Sequence, residues 1–226
     1  MRRLSFPCAM LLFLMTNVLF ASCALAHPHV WADMRSQLQV SDDGLVTGVR
    51  VQWTTDKAYA QDALDGFTKL PDGSYSDEEL KRLTDENLSA LADYGYFIFF
   101  RFNGEPQKIG KAENGDQHYN PKDGRLTLLF TVPLEQPLDP RKGEVTLKVY
   151  DPEFFIDFEY VDEKPLLISK PLAQGCAAIL MPIPTSSSID QTKQMLSTKD
   201  KSWKPENGED FGGMFAQPAD VKCNPS

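Results

Sequence analysis

Residues 76–95 read SDEELKRLTDENLSALADYG, and this stretch decides the fold class. Ser76 stands three residues before Glu79, the capping-box spacing in which a hydroxyl and a carboxylate serve the free N–H groups of a first helical turn. Leu80, Leu83, Asn87, Leu88, Leu91 and Tyr94 then recur at helical spacing up to Gly95, a natural stop. The sequence on either side has a different period. Upstream, residues 30–40 and 45–53 are rich in branched and aromatic residues and flank Ser41-Asp42-Asp43-Gly44, which is turn chemistry, so they predict a hairpin. Residues 56–66 predict a short helix. Downstream, residues 96–102, 125–132 and 144–150 predict strands, separated by turns such as Asn103-Gly104 and Lys122-Asp123-Gly124. Strands before and after a helical pair predict an α+β fold: a mainly antiparallel sheet with a two-helix insertion after the first hairpin.

The chain begins with Arg2 and Arg3, continues with an apolar run over residues 9–21, and carries Ala24-Leu25-Ala26 with small residues where signal peptidase reads. Residues 1–26 are therefore expected to be a signal peptide. Thr16 and Asn17 interrupt the run, which falls short of the roughly 20 apolar residues that a spanning helix needs. Lipidation at Cys23 is the competing outcome, but Phe20 stands where a lipobox has leucine. Cleavage after Ala26 makes His27 the first residue and points to the periplasm, with no membrane anchor in the mature chain. The domain expected is residues 27–181, followed by an irregular tail over 182–226.

Without its leader the chain keeps 21 basic and 32 acidic residues, a formal charge of −11. That balance argues against nucleic acid and anionic lipid as partners. Cys8 and Cys23 depart with the leader, leaving Cys176 and Cys223 as an even pair in an oxidising compartment. One disulfide tethering the tail is expected, contributing on the order of 3 to 4 kcal/mol in the chain-entropy picture.

The chemistry concentrates at the expected mature start, His27-Pro28-His29-Val30-Trp31-Ala32-Asp33. In an extended strand residues i and i+2 share a face, so His27, His29, Trp31 and Asp33 form one row. A terminal His27 offers an amine and an imidazole to one metal ion, and His29 adds a second imidazole. Nitrogen donors of this kind suit Cu(II), Ni(II), Co(II) or Zn(II) rather than magnesium or calcium. The square-planar terminal motif with histidine in third place is excluded, because it needs a deprotonated amide from residue two and Pro28 has no N–H. His118, in the polar segment 116–120, is a candidate distant ligand. The metal-site residues expected are thus His27, His29, Asp33 and His118, set against a plain solvated strand end.

Residues 68–79 overlay a calcium loop with Gly73 at position six and Glu79 at twelve, but Thr68 and Leu70 replace the acids at positions one and three. A turn that caps the next helix accounts for Asp72-Gly73 and Ser76, so calcium is not expected. In residues 149–160, VYDPEFFIDFEY, the alternation predicts a strand with one core face and Asp151, Glu153 and Asp157 on its wet side. No nucleophile elbow, phosphate loop, HExxH motif or triad can be assembled, and three histidines leave little general-base capacity. No enzyme activity and no catalytic residue are expected.

AHPHVW at the cleavage site, ENLSALADYGYF on the second helix, GRLTLLFTVPL, and VYDPEFFIDFEY followed by a GC pair resemble the bacterial domain-of-unknown-function family 1007, from His27 to about Cys176. The resemblance implies a periplasmic component of an ABC-type transport system, found with nickel and cobalt permeases or exporters. Members commonly carry DxDxDG before the second helix, and Leu70-Pro71-Asp72-Gly73 departs from it, so no calcium role carries over. Together these readings predict a periplasmic accessory protein that binds a divalent transition metal, nickel, cobalt, zinc or copper, and serves an inner-membrane metal transporter. The alternatives are an adaptor without metal, and a copper redox protein built on the terminal chelate.

Overall fold

A computed structural model describes residues 28–200 and 202–224. The expected hairpin is β1 (Val30–Val40) and β2 (Val46–Thr55), followed by α1 (Lys57–Ala63) and α2 (Asp77–Ala92). Then come β3 (Ile98–Phe102), β4 (Glu105–Pro106), β5 (Glu113–Asn120), β6 (Arg125–Leu138), β7 (Val145–Val149), β8 (Ile156–Tyr160), β9 (Leu166–Ile168) and β10 (Cys176–Leu180). The described chain closes with α3 (Ser187–Leu196), α4 (Gly212–Phe215) and β11 (Ala219–Cys223). This is the expected α+β class, with mostly antiparallel sheets and a helical pair after the first hairpin.

The strands form two sheets rather than one. Sheet A runs β5-β6-β2-β1-β8, with β9 also on β1, and sheet B runs β10-β11-β7-β3-β4. Their inward faces share a core that includes Met34, Val51, Phe130, Phe100, Leu147 and Val221. Each such fully buried large side chain contributes about 2 kcal/mol of transfer free energy. Pairing is antiparallel except at one edge, where β8 and β9 both run parallel to β1. On β1 the alternation is strict: Val30, Ala32 and Met34 are buried while Trp31 and Asp33 face outward.

The helical pair packs where sheet B leaves sheet A uncovered. Ala60 of α1, Leu64 just after it, Leu80 and Leu83 of α2, and Tyr75 gather on Leu126 of β6. Both helices are capped, α2 by Ser76 as the sequence implies and α1 by Asp56. Asp56 accepts from the backbone N–H groups of Ala58 and Tyr59, and Ser76 from that of Glu79.

Two segments are more ordered than expected. His118 lies not in a polar loop but on the edge strand β5, which alternation does not disclose because six of its eight residues are exposed. The tail is tethered by the Cys176–Cys223 disulfide, as expected, across directly opposed positions of β10 and β11. Yet β11 is an interior strand of sheet B and places Ala219 and Val221 in the main core. The stretch before it builds its own small cluster, in which Leu196 and Phe215 enclose Phe154.

Candidate functional site

Of the four expected metal ligands, His27 lies outside the described residues. His29 stands just ahead of β1, where its backbone N–H donates to the Phe155 carbonyl at 2.9 Å and its ring lies 5.0 Å from the Phe155 ring. Both imidazole nitrogens are shielded from solvent. The parallel register with β8 sets Trp31 opposite Asp157 and Asp33 opposite Glu159. Trp31 is half exposed, and its backbone is clamped to the α1 cap: Trp31 N donates to Asp56 Oδ2 at 3.0 Å, and Asp56 N to Trp31 O at 2.9 Å.

Asp33 already has a partner. Its Oδ2 accepts from Arg125 at 2.6 Å, and the same guanidinium donates to the Thr54 and Thr55 carbonyls at 2.7 and 3.0 Å. Arg125 was not a candidate in the sequence, since 92 residues separate the two side chains. A lone arginine at the start of a predicted strand carries no signal of that pairing.

His118 shares a sheet row with Asp33 without reaching it. The register runs from His118 to Thr127, from Thr127 to Thr54, and from Thr54 to Asp33. Three strand spacings put about 14 Å between the two backbones, whereas ligands of one ion must converge to about 2 Å from it. His118 instead pairs with Asp116 on its own strand, Nε2 to Oδ2 at 2.9 Å. Among the described residues no three His, Cys, Asp or Glu side chains converge on one point. Among the described residues Asp33 and His118 are therefore not brought together with His29 as one ligand group.

The acids of residues 149–160 divide. Asp157 lies opposite Trp31 on the outward side, and burial first, then the Glu159 carboxylate, push its carboxyl above the usual carboxylate range, with Lys193 opposing. Asp151 is not on a wet side at all. It is 5 % exposed, and its carboxylate accepts from the backbone N–H groups of Glu153, Phe155 and Ile156 at 3.0 to 3.1 Å. That acid organises the turn delivering Phe155 and β8 to the side of β1.

The loop before α2 is closed by its own polar groups. Gly73 N donates to Leu70 O, Leu70 N to Ser74 O, and Asp72 Oδ1 accepts from both the N–H and hydroxyl of Ser74. Glu79 accepts from Thr68 N at 3.1 Å and from the Ser76 hydroxyl at 3.1 Å. Gly73 adopts φ 84°, a conformation costly for residues with a Cβ. The capping reading describes these bonds.

The architecture defines a class first: a disulfide-bonded two-sheet α+β sandwich, with a helical pair on one open end and a histidine at the start of a central strand. The chain belongs to the family described as Protein of unknown function (DUF1007), whose match spans residues 11–223 and so includes the tail as far as Cys223. It is similar to an uncharacterized protein of Haemophilus influenzae (strain ATCC 51907 / DSM 11121 / KW20 / Rd), with 27% identity over 206 residues, covering 88% of this chain and 92% of the relative. No helix among the described residues is long and apolar enough to cross a membrane. The disulfide is compatible with a place outside the cytoplasm.

Proposed function

We propose that this protein is a non-catalytic periplasmic accessory protein that binds a divalent transition metal ion, nickel, cobalt, zinc or copper, through His27 and His29 and serves an inner-membrane metal transporter. The observation that carries this reading is the anchoring of His29. Its backbone hydrogen bond to Phe155 O and its ring contact with Phe155 hold one imidazole at the root of β1, two residues from the expected terminal amine. A terminal His27 would add an amine and a second imidazole, a donor set matched to late first-row divalent ions. Asp33, committed to Arg125, and His118, committed to Asp116, stand outside this set.

Calorimetric titration with Ni, Co, Zn and Cu tests the reading, on protein purified from the periplasm and shown by mass spectrometry to begin at His27. The expected outcome is tight one-to-one binding that is lost when one residue is added before His27. It falls by at least tenfold in His29→Ala and is unchanged in Asp33→Ala and His118→Ala. Failure of a protein that does begin at His27 to bind any of the four ions leaves the adaptor reading in its place.

A further inference from the structure

Sheet B ends at β10, which pairs with β11 on one side and with no strand on the other among the described residues. The register fixes which main-chain groups are left over. Asn224 N donates to Gly175 O at 2.9 Å and Met181 N to Pro218 O at 2.8 Å, so the odd-numbered residues of β10 turn their N–H and C=O groups toward β11. Those of Ala178 and Leu180 point the other way and meet no hydrogen-bond partner among the described residues. The flanks add no free donor: Cys176 N already donates to Ala173 O at 3.0 Å, and Pro182 has no N–H.

An open row of donors and acceptors recruits another strand, and proteins blunt such edges with charge, proline or shortness. The other edges here are treated that way. β4 is two residues long and ends in Pro106, β5 carries Glu113 and Asp116, β8 carries Asp157 and Glu159, and β9 is three residues long. β10 has no such protection, since residues 171–189 contain no charged side chain. Ile179, on its outer face, is 50 % exposed. The groove between β10 and β9 is likewise lined by no charged residue, and the exposed Leu167 and Ile168 stand in it.

We propose that β10 pairs antiparallel with β10 of a second copy about a two-fold axis at Ile179, joining the two B sheets into one. Self-matching is what favours a copy over any other strand. With Ile179 opposite the partner's Ile179, Ala178 falls opposite the partner's Leu180 and Leu180 opposite the partner's Ala178. Each of these pairs exchanges both of its N–H···O bonds, which uses every outward main-chain group of the two residues. The next position sets Cys176 opposite the partner's Pro182, where neither residue has a donor to leave idle. Ile179 meets its counterpart in a non-hydrogen-bonded pair, with Cα atoms about 4.5 Å apart, where cross-strand side chains pack most closely. Charge favours the same place, because two strongly acidic chains repel over most of their surface and this edge is neutral. A two-fold contact uses the edge once, so assembly closes at a dimer. The inference does not rest on metal binding.

Sedimentation velocity on the mature protein tests this, over about a hundredfold range of concentration. The wild-type protein is expected to pass from monomer to dimer as concentration rises. Ile179→Lys sets like charges opposite each other, and Ala178→Pro removes an N–H that β11 does not use. Each is expected to weaken the dimer by about tenfold or more while leaving the urea midpoint near that of the wild type. Ile179→Cys is expected to give a disulfide-linked dimer in air, since about 4.5 Å between Cα atoms suits the bond. Ala177→Cys is not, because the same axis holds its two copies about 14 Å apart. A monomer at every concentration, a dimer that survives in folded Ile179→Lys and Ala178→Pro, or equal cross-linking at positions 177 and 179 overturns the proposal. The first of these outcomes assigns the edge to a strand from a different protein. Should Ala178→Pro fail to fold, the two cysteine variants, both on the exposed face of β10, still decide it.

Discussion

Two acidic loops looked alike as strings of ligand-type residues, and they use their carboxylates under opposite electrostatics. In residues 68–79 the acids are at the surface, where Asp72 bonds Ser74 and Glu79 bonds Thr68 N and the Ser76 hydroxyl. Hydrogen bonding holds both carboxyls below the usual range, led by the Ser74 hydroxyl for Asp72 and the Thr68 N–H for Glu79. In residues 151–156 Asp151 is buried, and desolvation pushes its carboxyl up against the pull of three backbone N–H groups. The comparison teaches that ligand-type residues become available to a metal only where the backbone has not already taken them. It also assigns each loop its own dependence on pH. Asp72 and Glu79 contribute stability that is present above the ordinary carboxylate range and lost as pH falls through their lowered values. Asp151, raised, opposes folding most when ionised, so its contribution improves as pH falls through its folded value toward the unfolded one.

The largest effect expected from breaking this contrast is at Asp151. Asp151→Ala strands three backbone donors in a buried turn and is expected to cost about 3 kcal/mol in urea denaturation. A loss no larger than that of a surface acid would put Asp151 in the same class as Asp72. Next comes Gly212, whose missing Cβ would collide with the Asp151 carbonyl. Phe211 and Gly212 both donate to Pro152 O, so α4 rests directly on the Asp151 turn. Gly212→Ala is expected to cost about 2 kcal/mol by overpacking and to speed proteolysis within residues 182–218. In the exposed loop, Ser76→Ala removes the α2 cap and is expected to cost about 1 kcal/mol, read as a lowered urea midpoint. The smallest effect has the opposite sign. Asp157→Asn, which relieves burial and the repulsion from Glu159, is expected to stabilise by about 0.5 kcal/mol. The gain should hold at neutral pH and vanish below the ordinary carboxylate range, where Asp157 is protonated whether folded or not. A midpoint series from pH 7 to pH 3 checks both magnitude and sign.

Much of the fold was legible where the signal is local. The α2 cap and the strict alternation of β1 depend on neighbours within a few residues, and both stand as read. β5 was not legible, because its inward positions include Gln117 and Tyr119 rather than a run of aliphatics, and polar residues on both faces carry no period. β11 escaped for a different reason. Five residues after a proline are too few to establish alternation, and only the partners β7 and β10 make them a strand. For the candidate site the same division holds: the shared face of Trp31 and Asp33 follows from spacing along β1, whereas the engagement of Asp33 by Arg125 depends on a contact across 92 residues.

By itself the sequence determined what short-range geometry and chain chemistry can express: the hairpin, the capped helices, the face on which Trp31 and Asp33 stand, and the two cysteines left to pair. Only the tertiary structure decided which polar groups are spent and which are available, because that depends on what each meets across the sheets. It drew Asp33 to Arg125, buried Asp151 under a turn, spread His118 three strands from Asp33, and left the main-chain groups of Ala178 and Leu180 on an open edge among the described residues. Side-chain period tells which way a residue points, but the free energy of a polar group is set by its partners, and those partners are brought together by folding.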